Sequence, residues 1–160
     1  MTASEGELPP ERGAQHEALA VFLGRWRATG KSYGIPKQPE DDPKSLAEPW
    51  NSSHVGMWHT GDFFLIQDER ATTVAGPFDT LSIMGVDPKT GNYFAKSFEN
   101  HGFHRHYEVS VEGRVWTLTG DTERARIELS ADGKTQTIAW EWRPKGEWLP
   151  LCDRVAIREE

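Results

Sequence analysis

The sequence predicts an all-β domain, an antiparallel up-and-down β-barrel of roughly eight to ten strands behind one short helix. Three observations predict it. From Gly24 onward the side-chain pattern repeats every two residues, the period of a strand. Turn residues then separate the alternating runs, as in "DPKTG" at 87–91 and "EG" at 112–113. The gaps between runs are too short for a helical crossover, so neighbouring strands must be antiparallel. A meander of that many strands leaves exposed edges unless it closes, and a closed barrel of this size holds one small ligand. A flatter sandwich is the alternative.

Residues 1–13 hold Pro9, Pro10 and little to bury, which predicts a mobile tail ahead of a single barrel domain over 14–160. In 14–23, Leu19, Phe22 and Leu23 share one helical face and Gly24 follows as a stop. A helix this short needs a larger surface to dock on; His16 within it is expected to face water.

The first strand, "GRWRATGKSYG", places Trp26, Ala28, Gly30 and Ser32 on one face and the charged residues on the other. Small inward residues are expected where a sheet wraps around space. Residues 34–49 form a long, acidic, Pro-rich loop, read as a solvated connection or a lid. Further strands follow at 62–71, 78–86, 92–98, 103–111, 114–120, 124–130, 135–142 and 148–159.

The chain of 160 residues carries a formal net charge of −7, with its basic residues scattered among acids. That distribution excludes nucleic acid and anionic membrane surfaces as expected partners. A single cysteine, Cys152, allows no internal disulfide, and no apolar stretch suits a signal peptide or membrane span. A soluble, cytoplasmic protein is expected.

A short helix running into "FLGRWRATG", then "FDTLSIMGVDPKTGNYFAKSFENHG", "VWTLTGDTER", "SADGKTQTIAWEW" and "WLPLCDRVAIRE", resembles an uncharacterised bacterial lipocalin-like family of calycin type, catalogued as a domain of unknown function. The resemblance spans 14–158 and rests most on "MGVDPKTGNYFAKSF". It implies a fold and no reaction. In calycins a Trp of the first strand packs near an Arg of the last strand at the closed end. The matching residues here are Trp26 with Arg158 or Arg154, a plug worth ~1 kcal/mol by cation–π contact. A thinner resemblance links the chain to haem-binding nitrobindin barrels, which ligate iron through a His near the C-terminus. This chain has no His after His106, so no cofactor is expected.

The most suggestive cluster for chemistry is "FENHGFHRHYE" at 98–108. His104 and His106 share a strand face and His101 lies on the preceding turn, so proton transfer or a metal site is one reading, with Glu99, Glu108 or His59 as further ligands. Strand phase opposes it: Phe103, Tyr107, Val109 and Val111 form the apolar set, which turns His104 and His106 to water unless the lumen is polar. His54 and His59 flank Trp58 and suit a pocket rim. Asp153 falls in phase with Leu149, Leu151, Val155 and Ile157, and a buried carboxylate there needs a partner. "G-x-S-x-G" and glycine-rich phosphate loops are absent.

A binding barrel for a small apolar or aromatic molecule is the leading reading, more so than an enzyme. Its candidate ligand-binding residues are Trp58, Phe64, Met84, Phe98, His101, His104, His106, Tyr107, Trp116 and Trp140, with no catalytic or metal residue assigned. The alternatives are an enzyme built on His101, His104 and His106, and an interaction module without a small ligand, including a homodimer.

Overall fold

A computed structural model describes residues 8–34 and 38–159. A short helix α1 (Ala14–Ala18) continues into a 3-10 turn (Leu19–Phe22). Ten strands follow: β1 (Gly24–Ser32), β2 (Glu48–Trp58), β3 (Leu65–Thr73), β4 (Gly76–Val86), β5 (Tyr93–Glu99), β6 (His104–Glu112), β7 (Val115–Thr119), β8 (Glu123–Leu129), β9 (Thr135–Trp142) and β10 (Leu149–Glu159). Each pairs antiparallel with its sequence neighbour, and β1 pairs with β10 as well as β2, so the sheet closes. The antiparallel barrel is as expected, and the sandwich is excluded.

The strand missing from the sequence reading is β2. Its inward residues are Trp50, Ser52, His54 and Gly56, while Val55 and Met57 face out, so its apolar residues do not mark its buried face. The expected tail falls partly on residues 1–7, outside the described residues. Arg12, within the rest of it, is anchored: its Nε donates to the Asp62 carbonyl at 2.8 Å, and its guanidinium lies 5.1 Å from the Trp58 ring centroid.

The helix seals one end. Leu19 and Phe22 are fully buried, and the Phe22 ring meets Trp116 edge-on at 5.1 Å, with Tyr93 on the far side of Trp116 at 5.2 Å. Burying each such side chain contributes roughly 1.5–3 kcal/mol, which holds a helix too short to persist alone. The Tyr93 hydroxyl donates to the Gln15 carbonyl at 2.7 Å, tying β5 to the helix. Gly56 permits the approach: a Cβ there would collide with the Phe22 carbonyl oxygen. His16 is buried rather than solvated, because its Nδ1 accepts from the Gly13 N–H at 3.0 Å and its ring packs on Phe63.

Inward residues of β1 are Trp26 and Ala28, as the alternation indicates, with Gly30 beyond them. Gly30 lies against β10 so closely that a Cβ would strike the Asp153 carbonyl oxygen and sit 2.6 Å from the Arg154 Cα. Arg158 lies over the Trp26 ring, 4.8 Å from its centroid, and its Nη2 reaches the Val21 carbonyl at 3.4 Å. Arg158 is thus the plug partner of Trp26, while Arg154 serves elsewhere.

Candidate functional site

The barrel interior changes character along its length. Toward the helix it is dry: Leu65, Met84, Trp116, Leu118 and Leu129 are all buried in one apolar cluster. Toward the opposite end, inward positions carry Gln67, Glu69, Thr80, Ser82, Ser97, Arg105 and Glu123, and every one of these is only partly buried. Inward side chains enclosed by strands yet reached by solvent make this end of the interior, the lumen, polar and accessible from the side away from the helix.

Two polar clusters line this lumen. In the first, Arg154 of β10 reaches past β1 and β2 to Glu69 of β3. Its Nη1 donates to both Glu69 oxygens, at 3.1 and 3.0 Å. The guanidinium lies 4.5 Å from the Trp50 ring centroid, and the Trp50 indole N–H donates to Ser52 Oγ at 3.0 Å. His54 lies between this group and Trp26, with its ring stacked on the Trp26 ring at 6.0 Å and Nδ1 unpartnered. Burial pushes the His54 pKa down and Arg154 adds to this, against the opposing pull of Glu69, so His54 is held neutral. Burial also opposes the Arg154 charge, but Glu69 outweighs it and the guanidinium stays cationic.

In the second cluster, Arg105 Nε lies 3.3 Å from one Glu123 oxygen, and the Tyr107 hydroxyl donates to the other at 3.2 Å. Burial, reinforced by Glu123, raises the Tyr107 pKa strongly, so the phenol remains protonated. Trp140 joins the two clusters. It meets the Tyr107 ring edge-on at 5.6 Å and also packs against the group of Trp50, Ala71 and Cys152.

The 34–49 loop is strapped to the open end. Gln38 Nε2 donates to the Pro150 carbonyl at 2.7 Å, and Gln38 Oε1 accepts from the Trp142 indole at 2.8 Å. Lys145 pairs with Glu40 at 2.8 Å. These contacts hold one side of the rim; residues 35–37 of the loop lie outside the described residues.

Of the residues singled out from the sequence, Tyr107 and Trp140 point inward where the apolar cluster meets the polar end, Tyr107 buried within the cluster and Trp140 partly buried against it. Met84 and Trp116 belong to the dry core. Trp58 packs against that core under Arg12 at the closed end, which also moves His59 away from the mouth. Phe64 packs on Phe94 outside the barrel and over Gly85. Phe98, 45% exposed, faces outward with its ring stacked on His104, and His106 stacks on Phe94. Strand phase decides this: Tyr107 and Val109 point in, so His104 and His106 point out.

His101 sits on the β5–β6 turn, where Nδ1 meets Glu99 Oε2 at 2.6 Å. Glu99 also accepts from the backbone N–H groups of His101 and Phe103, at 3.0 and 2.9 Å. Burial works against its ionisation, but these contacts prevail and hold the carboxyl below its usual range. The three histidines therefore do not converge: His101 meets Glu99 on the turn, while His104 and His106 stack on outer-wall phenylalanines. No group of three or more His, Cys, Asp or Glu among the described residues could hold a metal ion.

Asp153 also departs from expectation. Val155 and Ile157, 41% and 50% exposed, lie on the outer wall, and the inward residues of β10 are Cys152, Arg154, Ala156 and Arg158. Asp153 pairs outside with Lys44 at 3.1 Å and accepts from the Tyr33 hydroxyl at 3.0 Å. Sequence reasoning passed over Ser52, Glu69 and Arg105, and it gave His54 and Arg154 other places, at a pocket rim and in the plug. Their only signal in sequence is an alternation in which polar residues occupy the inward phase.

A groove of about 600 Å³ also runs outside the barrel, between the helix and the β6–β7 and β8–β9 turns. It lacks the clustered polar groups of the lumen. No helix among the described residues is long and apolar enough to cross a membrane.

The architecture has solved counterparts. Rv2717c from M. tuberculosis superposes with a TM-score of 0.67 at 17% identity, over 94% of this chain and 100% of its own. The S-type phycobiliprotein lyase CPES from Guillardia theta gives 0.50 at 11% identity, over 93% and 94%. At such identities the likeness establishes the fold. No curated protein matches the sequence. The profile of a family described as "Protein of unknown function (DUF1579)" matches residues 11–148, most of the barrel, and the chain belongs to that family.

Proposed function

We propose that the protein is a non-catalytic binding barrel that takes a small, largely aromatic molecule into its lumen through the end opposite the helix. The observation that carries this reading is the partly exposed, inward-facing Trp140 between the Tyr107 and Trp50 clusters, with polar groups on both sides. Such a combination of flat apolar surface and few placed polar groups is what small-molecule sites use. The single cysteine supports a reducing, cytoplasmic setting.

Titration with N-phenyl-1-naphthylamine tests the reading. Saturable dye fluorescence with quenching of protein tryptophan is expected, weakened at least ~10-fold in a Trp140→Ala variant, since loss of a stacking face is worth a kcal/mol or more. Equal binding by the Trp140→Ala variant, or no saturable binding, would sink it.

The exterior supports a second use. Leu81 and Phe98, opposite each other in the β4–β5 register and 42% and 45% exposed, form an apolar spot on the outer wall. We propose it as the contact of a homodimer. Sedimentation is expected to show a dimer that Phe98→Glu converts to monomer, and a monomeric parent protein would exclude it.

A further inference from the structure

The charges that meet within the barrel interior are already in pairs. Glu69 has Arg154, and Glu123 has Arg105. Glu99, a third inward carboxylate, is taken up by the His101 ring and two backbone N–H groups. His54 is held neutral by burial and by Arg154, against the opposing pull of Glu69. A ligand with a net charge would either remain unpaired in this enclosed space or pull one pair apart. Leaving a partly buried charge without its partner is strongly unfavourable.

Hydrogen-bonding capacity is not balanced in the same way. Both Glu69 oxygens accept from Arg154 Nη1, which leaves Nη2 without an acceptor among the described residues; Nε is fully buried, out of a ligand's reach. Arg105 meets Glu123 through Nε. A guanidinium offers five N–H donors and no acceptor, so after pairing, Arg154 and Arg105 each keep N–H groups that their carboxylates do not take up. Trp140 supplies apolar ring surface between the two arginines, packing toward Tyr107 on one side and Trp50 on the other.

Resting on the lumen-binding reading above, we infer that the ligand is an uncharged, flat aromatic molecule with carbonyl-type acceptor oxygens at its edge, received by the spare N–H groups of Arg154 or Arg105 while its ring lies along Trp140. The ion pairs stay intact on binding, and the ligand oxygens satisfy donors the protein leaves over.

Three probes of one ring system and similar size separate the possibilities by tryptophan quenching of the full chain. They are 2-acetylnaphthalene (neutral, with a carbonyl), 2-ethylnaphthalene (neutral, without one) and 2-naphthoate (anionic). The acetyl compound is expected to bind about tenfold more tightly than either of the others, the effect of one hydrogen bond to a charged group. Arg154→Lys, which keeps the charge opposite Glu69 but removes the guanidinium donors, is expected to bring that preference below about threefold. Arg105→Lys, at the more exposed pair, is the second variant if Arg154→Lys does not fold. Binding of 2-ethylnaphthalene or 2-naphthoate as tight as that of 2-acetylnaphthalene overturns the inference and leaves the binding barrel standing. A preference unchanged in both Lys variants also overturns it. Saturable binding of none of the three overturns the lumen reading and the inference together.

Discussion

Arg154 and Glu69 lie on β10 and β3, with β1 and β2 between them, and meet across the barrel interior through one guanidinium nitrogen at 3.0–3.1 Å from both carboxylate oxygens. Their side chains are 10% and 19% exposed. Removing one partner from so enclosed a pair leaves a charge with little solvent to compensate it. Glu69→Gln or Arg154→Met is expected to lower unfolding free energy by about 3 kcal/mol, and the double variant Glu69→Leu, Arg154→Met by less than the sum. Urea denaturation of the four proteins checks this. The neighbouring outer pair is the control: Asp153→Asn breaks the exposed contact with Lys44 and is expected to cost less than about 1 kcal/mol.

Gly56 tests the docking of the helix. Substitution by Ala places a methyl against the Phe22 carbonyl oxygen and 3.0 Å from its carbon. The helix must lift, exposing Phe22 and loosening its contact with Trp116. A cost of about 1–3 kcal/mol is expected, read as a lowered thermal midpoint with the far-ultraviolet spectrum retained.

His54 couples stability to pH. Its folded pKa lies below the ordinary value of 6.5, chiefly because of burial. Below pH 6.5 the unfolded chain binds a proton that the folded chain does not. The stabilisation is therefore complete above 6.5 and is lost as pH falls through the depressed folded value. Thermal midpoints measured from pH 8 down to 5 are expected to fall, and to fall less in a His54→Gln variant. Parallel curves would assign the slope to other groups.

Cys152 is expected to be inert. Burial, relieved in part by Arg154, raises its thiol pKa to about 11. Alkylation by iodoacetamide at pH 8 is expected to be at least ~100-fold slower in the native protein than in urea, where the thiol returns to an ordinary pKa near 8.5 and is fully accessible. Comparable rates in the two states would show the lumen wall to be open at β10.

Trp26 and Arg158 gauge the plug. Arg158→Ala removes the cation over the ring and is expected to cost about 1 kcal/mol. Trp26→Ala empties the space beneath the helix and is expected to cost about 3–5 kcal/mol. Chemical denaturation separates the two.

The antiparallel meander was legible because most runs alternate with period two and most turns between them are too short for a crossover, while β2 was missed and closure stood against a sandwich. The helix and the Trp26–Ala28 face of β1 were legible for the same reason. What alternation reports is a phase, and in this chain the inward phase is not always the apolar one. On β10, the alternating Leu149, Leu151, Val155 and Ile157 suggested an inner face, yet Arg154 and Cys152 point inward. On β2, Ser52 and His54 line the interior while Met57 faces out.

The sequence by itself determined an antiparallel meander behind a short docked helix, because local period, turn chemistry and helix length act between residues close in the chain, while closure waited on the pairing of β1 with β10. Only the tertiary structure decided what the interior is made of. Arg154 can face inward because Glu69, 85 residues away along the chain, stands opposite it, and that compensation exists only once β10 and β3 are folded around the same space. His104 and His106, the most suggestive pair in the sequence, ended on the outer wall because they share the phase opposite Tyr107 and Val109, while Arg105 between them and Tyr107 beside them found Glu123.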